Sequence, residues 1–278
     1  MTTRPRRGRA AEFLIRLAGA LPPREAKVRT RRCARTVLLR GAEVLEVRRA
    51  RRAIGPTAHA AIVTIIPTIG RDLLRAAVAS ALAQTVRDHH VVVVSDGRPL
   101  PLLPDDPRLS IVFLRRRYGV AALARNVGIR ASASEYVAFL DDDNLWRPDH
   151  LARLLPPLVN GADLAYSGLE WIGDDGRSLG AQSIAFDRRR LRDESFVDTS
   201  TIVVRRSPRA RFRDVPRRYG DATFEDWELV WRLSRRGRVV HVPASTVVVR
   251  AHGGQCFVPR VAPPPVSVPP APSLAAGG

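Results

Sequence analysis

The chain has 278 residues, of which 45% are hydrophobic, so it has enough apolar material for a sizeable core and is not a fully disordered protein. Lysine and arginine number 46 against 27 aspartates and glutamates, which gives a formal net charge of +19. Lys27 is the only lysine, and an arginine bias of this kind is typical of GC-rich coding. The charge by itself therefore identifies no nucleic-acid or membrane partner.

The cysteines and the apolar runs indicate the cellular compartment in which the protein is expected. Cys33 and Cys256 lie far apart and match no disulfide or zinc spacing. The apolar stretch 11–21 is interrupted by Glu12 and Arg16, and no run approaches the length of a membrane span. We expect a cytoplasmic protein, with peripheral contact at the inner face of the membrane as an open alternative.

Residues 1–57 form a predicted arginine-rich extension with helical stretches at 9–20 and 30–53. The second stretch carries an apolar stripe made of Val37, Leu38, Val44 and Leu45. Two interpretations are open. The stripe docks on the main domain, which we favour, or it binds an acidic membrane or a partner.

Residues 58–256 form the predicted globular domain, whose first half alternates apolar runs with helical periodicity. The strand-like runs are 60–66, 91–94, 111–114 and 136–140, and the helical periods are 73–82 and 120–131. This alternation predicts an α/β fold with a doubly wound, mainly parallel sheet. In such sheets, ligands bind at the carboxyl ends of the strands.

A smaller, mixed portion completes the predicted domain. It contains a hairpin turning at Asp174-Asp175-Gly176, a strand near 199–205, a helix over 225–237, and short strands at 238–243 and 246–250. Residues 257–278 are rich in Pro, Ala and Ser, which predicts a disordered tail.

Carboxylates follow directly on two of the apolar strands. One strand leads to Asp96 and another to Asp141, Asp142 and Asp143. Adjacent aspartates repel one another, so this placement indicates a divalent cation or a polar ligand that offsets the repulsion. The alternatives are a solvated turn for the three aspartates and a simple Asp-Gly turn for Asp96.

A second acidic cluster, Glu225-Asp226-Trp227-Glu228, opens the predicted helix at 225. Carboxylates are favoured in a first helical turn by the helix dipole, which is one explanation of the cluster. The other is catalytic, because apolar surface from Trp227 beside Asp226 would adjust its pKa for proton abstraction.

Five motifs in this order resemble glycosyltransferase family 2, the inverting enzymes with the GT-A fold. They are Ile65-Ile66-Pro67-Thr68, Val94-Ser95-Asp96-Gly97, Ala124-Arg125-Asn126-Val127-Gly128-Ile129, Phe139-Leu140-Asp141-Asp142-Asp143 and Glu225-Asp226-Trp227-Glu228-Leu229. Each motif is short, but five in order at plausible spacing are specific. The resemblance covers residues 60–254 and implies a GT-A glycosyltransferase domain with a nucleotide-sugar donor.

The resemblance also implies roles for single residues on the donor side. Pro67 and Thr68 would lie against the nucleotide base and ribose, and Asp96 would accept a hydrogen bond from the base. Arg125 would lie in the donor pocket and help to bind the base or phosphates.

For the metal, the resemblance implies Mn²⁺ or Mg²⁺ bound by Asp143. Asp141 or Asp142 would hold the ribose or the water shell of the metal. His252 would be the late histidine near the diphosphate, although a lone histidine is also common as a packed or surface residue.

On the acceptor side, the resemblance implies that Asp226 is the general base, with Glu225 and Trp227 beside the acceptor. The acceptor would be the hydroxyl of a glycan, a lipid-linked molecule or a small molecule. Two other functions stay open at this point. One is a basic protein that binds nucleic acid or an anionic surface, although no specific nucleic acid is expected, and the other is an inactive relative that binds nucleotide.

Overall fold

The structure, a computed structural model, describes residues 23–54, 60–213, 217–219 and 222–251. Its helices are α1 (Pro23–Ile54), α2 (Leu74–Leu82), α3 (Ala121–Ala131), α4 (His150–Val159), α5 (Arg190–Asp193) and α6 (Glu225–Leu233), with a 3-10 turn at Thr199–Thr201. Its strands are β1 (Ile62–Thr68), β2 (His89–Ser95), β3 (Leu109–Phe113), β4 (Tyr136–Phe139), β5 (Leu145–Trp146), β6 (Leu164–Ile172), β7 (Ser178–Gln182), β8 (Ile202–Arg205), β9 (Arg217–Tyr219), β10 (Ala222–Phe224) and β11 (Val239–Arg250). The predicted helix at 9–20, the tail at 257–278 and His252 lie outside the described residues.

The main sheet has the order β3-β2-β1-β4-β8-β6-β11-β5, with β7 paired to β6. The four strands β3, β2, β1 and β4 are parallel, as the alternating pattern predicts. Strand β8 runs antiparallel between β4 and β6, and the hairpin β6–β7 is also antiparallel. The fold is therefore the expected α/β sheet with a mixed second half.

Strand β1 lies at the centre of the first half and is buried along its whole length. Val63 and Ile65 pack on one face with residues of α1, α3 and α6. Ile62 and Ile66 pack on the other face with α2 and α4. Burial on both faces explains why this strand is a continuous apolar run without alternation.

Several element boundaries differ from the predictions. β1 extends through Pro67 to Thr68. Pro67 has no backbone N–H to donate, but the pairing of β1 with β4 already ends at Ile65, so no hydrogen bond to β4 is lost at Pro67. The two short strands predicted near the end are one strand, β11, which is bent by irregularities between Val242 and Val247. The helix predicted over 225–237 ends at Leu233.

Helix α3 lies unusually close to β1, and one glycine makes this approach possible. A Cβ placed on Gly128 would be 2.7 Å from Cγ2 of Ile65. A methyl group has no room there, so this position of the Ala124–Ile129 motif is explained by packing. The close approach brings Arg125, one turn earlier on α3, to the ends of the strands.

Helix α1 docks on the domain, as the favoured interpretation predicts, but through a different face. Val47, Ala50 and Ile54 join the core beside α3. The predicted stripe instead faces solvent, with Val37 66% and Leu38 72% exposed.

Two buried glutamates explain why the apolar pattern selected the wrong face of α1. Glu43 Oε1 accepts a hydrogen bond from Arg130 at 2.8 Å, and Glu46 Oε1 accepts one from the hydroxyl of Tyr118 at 2.9 Å. A buried carboxylate that has hydrogen-bond partners can lie on a docking face. Here the partners lie far away in the sequence, so the local pattern of residues does not reveal them. Within the described ranges, no helix combines the length and the apolar character needed to cross a membrane.

The buried histidine of α4 makes stability depend on pH. His150 is fully buried, stacks on Trp146 with ring centroids 4.3 Å apart, and lies 2.7 Å from the hydroxyl of Thr246. Burial lowers the pKa of His150 to about 3. Below pH 6.5 the unfolded chain therefore binds a proton that the folded chain does not, so the free energy of unfolding falls as the pH falls toward 3.

We predict that His150→Gln weakens this dependence. The contribution of the histidine at pH 5 is up to about 2 kcal/mol, from the difference between its folded and unfolded pKa values. Urea unfolding of the parent and the variant at about pH 7.5, 6.5 and 5 measures it, with the parent expected to lose more stability than the variant. Equal losses in the two proteins would contradict the assignment.

Candidate active site

Asp96 and Gly97 fix the loop that follows β3 against the end of β2. The two carboxylate oxygens of Asp96 accept the backbone N–H groups of Tyr118 and Gly119, each at 2.7 Å. Gly97 has a φ of +67°, and a Cβ there would be 2.5 Å from the carbonyl carbon of Arg116. The Asp-Gly pair therefore holds a loop at the strand ends, and the predicted bond from Asp96 to a nucleotide base stays a prediction.

The ends of β1 and β4 meet through the carboxylates of Asp142 and Asp143, which are only 6% and 8% exposed. The hydroxyl of Thr68 donates to Asp142 Oδ2 at 2.5 Å. Nη1 of Arg71 lies 3.3 Å from Asp142 Oδ1 and 2.5 Å from Asp143 Oδ2. Burial raises the pKa of Asp142, while the Thr68 hydrogen bond and the charge of Arg71 oppose the rise. These aspartates are not a solvated turn.

Arg125 joins the end of β4 to the start of α6. Its guanidinium is buried, donates from Nη2 to Asp141 Oδ1 at 2.5 Å, and donates from Nη1 to Glu225 Oε1. The ring of Phe212 lies against it, with its centroid 5.0 Å from Cζ. The two acidic clusters of the sequence are therefore neighbours in space, although Arg125 and Glu225 are 100 positions apart.

Asp226 stands next to this pair and is held in a fixed direction. Its Oδ1 accepts the backbone N–H of Trp227 at 2.7 Å, and its Oδ2 accepts the hydroxyl of Thr199 at 3.3 Å. Burial raises the pKa of Asp226, and the nearby charge of Arg125 opposes the rise. The indole of Trp227 donates to the carbonyl of Leu191 at 2.6 Å. This ring is packed in the hydrophobic core.

A further carboxylate, Asp198, lies beside Asp226 and was not identified from the sequence. It begins the 3-10 turn at Thr199–Thr201 and accepts the backbone N–H of Ser200 at 2.7 Å. Burial, together with the negative charges of Asp141 and Asp226, raises the pKa of Asp198 to about 7. Groups that titrate near neutral pH are suited to proton transfer. The only local signal for Asp198 is its position before Thr199 and Ser200, which is typical of any cap.

Arg71 was also missed, because one more arginine in an arginine-rich chain attracts no notice. The structure brings together Thr68, Arg71, Arg125, the three aspartates at 141–143, Asp198, Glu225 and Asp226, with Asp96 at the adjacent strand end. Across the described part of the chain, no group of three or more His, Cys, Asp or Glu side chains is arranged to hold a metal. His252 lies outside that part.

The protein resembles known glycosyltransferases in sequence. The family model described as Glycosyl transferase family 2 matches residues 63–220, more than half of the chain. The succinoglycan biosynthesis protein ExoW of Rhizobium meliloti (strain 1021) is 38% identical over 102 residues, which are 33% of this chain and 32% of ExoW. ExoO of the same organism, also named for succinoglycan biosynthesis, is 39% identical over 114 residues, 39% of this chain and 32% of ExoO. The matches thus span about a third of the length of these relatives.

Solved structures support the fold. The crystal structure of S. aureus TarS 1-349 in complex with UDP-GlcNAc superposes with a TM-score of 0.52 at 16% identity, covering 70% of this chain and 59% of that one. The structure titled S. aureus TarS 1-349 gives 0.51 at 17% identity, with 68% and 60% covered. The architecture is the GT-A-like fold that the sequence resemblance implies.

Loss of the Arg125 guanidinium should be costly for stability. Arg125→Gln leaves Asp141 and Glu225 without their buried partner, so we predict a loss of about 3 kcal/mol in the free energy of unfolding. The matched control is Arg153→Gln, which breaks the exposed pair with Asp149 and should cost less than about 1 kcal/mol. Urea unfolding of both variants measures the difference, and similar costs would show that the Arg125 pairs contribute little.

Proposed function

Because the chain belongs to glycosyl transferase family 2, we propose that it transfers a sugar from a nucleotide-diphosphate donor to an acceptor hydroxyl, with inversion at the anomeric carbon. The observation that carries the proposal is the convergence, around Arg125, of the carboxylates at the end of β4 with Asp226 at the start of α6. The names of ExoW and ExoO support a role in polysaccharide biosynthesis. The UDP-GlcNAc in the TarS title supports a nucleotide-sugar donor.

The donor side of the proposal rests on the ends of β1, β2 and β4. Pro67 and Thr68 end β1, and the backbone N–H of Asp96 donates to the carbonyl of Thr68 at 2.9 Å. These strand ends are adjacent, so a base and ribose bound there would contact residues from all three strands. The guanidinium of Arg125 lies 2.5 Å from Asp141. From there it would help to offset the negative charge of the donor phosphates.

The carboxylates at the end of β4 fit a divalent metal that comes with the donor. Asp142 and Asp143 already attract a cation, since the guanidinium of Arg71 lies against both. In many proteins, Mg²⁺ is bound by one or two carboxylates together with phosphates of the substrate. Asp142 and Asp143 would therefore suffice without a third protein ligand. We propose that Asp143 holds Mn²⁺ or Mg²⁺, with Asp141 and His252 as further candidates. The bound metal would act as a Lewis acid on the diphosphate.

Asp226 is proposed as the general base. It would accept the proton of the acceptor hydroxyl as the acceptor oxygen forms a bond to the anomeric carbon and the bond to the nucleoside diphosphate breaks. Its carboxylate is fixed by Trp227 and Thr199, and its raised pKa increases its basicity. Asp198, with a pKa of about 7, can hold a proton beside it and limit the negative charge of the pocket.

We also propose that α1 makes the peripheral contact with an anionic membrane at the cytoplasmic face. The exposed stripe of Val37, Leu38, Val44 and Leu45 supports this contact, and exposed arginines at 48, 49 and 52 follow it. Apolar side chains flanked by arginines bind anionic bilayers.

The stripe can be tested without removing the helix. Leu38→Ser and Leu45→Ser together should reduce sedimentation with vesicles that contain phosphatidylglycerol, because they remove exposed apolar area and leave the docked face intact. Leu102→Ser is the control, since Leu102 is exposed elsewhere. Unchanged sedimentation of the stripe variant would contradict the contact.

The metal assignment predicts the behaviour of Asp143→Ala. Mn²⁺ should add to the rise in melting temperature that UDP gives the parent and should add nothing in the variant, because the carboxylate that binds the metal is gone. Asp175→Ala in the β6–β7 hairpin is the control and should respond like the parent. An Asp143→Ala protein that is stabilised as strongly as the parent would refute the assignment.

The base assignment predicts a separation of binding from catalysis. Asp226→Asn keeps the size of the side chain and removes the proton acceptor, so UDP release from a panel of UDP-sugars should fall by roughly 10²-fold or more. Stabilisation by UDP and Mn²⁺ should persist. Asp175→Asn controls for the loss of one negative charge. Turnover near that of the parent would leave the acidic cluster explained by the helix dipole alone.

A further inference from the structure

An open cavity of about 410 Å³ lies outside the candidate active site, between α1, residues 208–213 and the C-terminal end of α6. Seven arginines line it together with Pro208 and Phe212, and we call it the arginine cavity. Among the described residues, no carboxylate lines it.

Three of these arginines are held by glutamates behind the cavity. Arg211 pairs with Glu43 at 2.8 Å. Arg213 and Arg232 pair with Glu228 at 3.3 Å and 3.0 Å. These ion pairs fix part of the cavity wall. They do not neutralise the positive charges of the other four arginines.

The other four, Arg40, Arg209, Arg235 and Arg236, are exposed and have no side-chain partner within the ranges that the structure describes. They come from α1, from the segment before β9 and from the residues that follow α6. Positive charges gathered at one cavity repel one another, and a multivalent anion would relieve that repulsion.

Two simpler explanations cover only part of this arrangement. The negative end of the α6 dipole favours Arg235 and Arg236. The arginine-rich composition explains scattered exposed arginines. Neither explains why Arg40 and Arg209, which are distant in sequence, lie at the same cavity as that helix end.

We propose that the arginine cavity binds a ligand that carries a diphosphate group. Guanidinium groups donate paired N–H bonds that match phosphate oxygens, and a diphosphate carries several negative charges where a single carboxylate carries one. We expect recognition through the phosphates, because apart from Pro208 and Phe212 the described lining consists of arginines. The site is separate from Asp143 and Asp226 and does not depend on the proposed sugar transfer.

Calorimetric titration of the full chain with inorganic pyrophosphate tests the site. Ionic strength is held constant, and EDTA is present so that no metal carries pyrophosphate to Asp143. The test variant is Arg209→Gln/Arg235→Gln/Arg236→Gln. The matched control is Arg87→Gln/Arg177→Gln/Arg189→Gln, which removes the same charge at exposed positions outside the cavity.

We expect the test variant to bind pyrophosphate at least about tenfold more weakly than the parent and the control to bind like the parent. Equal weakening in both variants, or no binding by the parent, would overturn the proposal. Should the triple variant unfold by circular dichroism, Arg209→Gln alone decides, with a smaller loss expected and an unchanged affinity contradicting the site.

A second measurement identifies the source of the phosphate. Vesicles containing a lipid diphosphate, diacylglycerol pyrophosphate, that displace pyrophosphate from the parent assign the cavity to lipid headgroups, and a failure to displace it assigns the cavity to a soluble diphosphate. The additional stabilisation that Mn²⁺ gives over UDP with EDTA should be the same in all three proteins, because that part reports on the metal site and not on the arginine cavity, so a failure here is distinct from a failure of the proposed function.

Discussion

One buried guanidinium, that of Arg125, joins parts of the chain that carry the chemistry of the site. It pairs with Asp141 at the end of β4 and with Glu225 at the start of α6, and Phe212 covers it. Without a cation here, the carboxylates of the two clusters would repel one another in a poorly hydrated pocket. These contacts connect Glu225, the neighbour of Asp226, to the end of β4, and Gly128 allows α3 to bring Arg125 there.

The site is acidic in a strongly basic protein. The chain carries a formal net charge of +19, yet six carboxylates gather in the site: those of Asp141, Asp142 and Asp143 after β4, Asp198 at the 3-10 turn, and Glu225 and Asp226 at the start of α6. Arg71 and Arg125 compensate part of this charge. The remainder favours bound cations, and burial together with this charge raises the pKa of Asp198. The overall charge thus says little about what the site binds.

The sequence predicted the features that local patterns encode. Continuous apolar runs identified the buried strands, and the aspartates that follow them marked the strand ends. It failed where a contact joins distant segments. The docking face of α1 depends on Glu43 and Glu46, whose partners lie more than 65 positions away, so the apolar stripe was assigned to the wrong side. Asp198 and Arg71 were missed for the same reason.

A double-mutant cycle on Arg125→Gln and Glu225→Gln tests most directly whether this bridge holds the site together. If the guanidinium links the two clusters, the double variant should be more stable than the sum of the single losses implies, by roughly 1 kcal/mol or more in the free energy of unfolding. Additive losses would contradict the account, because they would show that Arg125 and Glu225 do not stabilise each other.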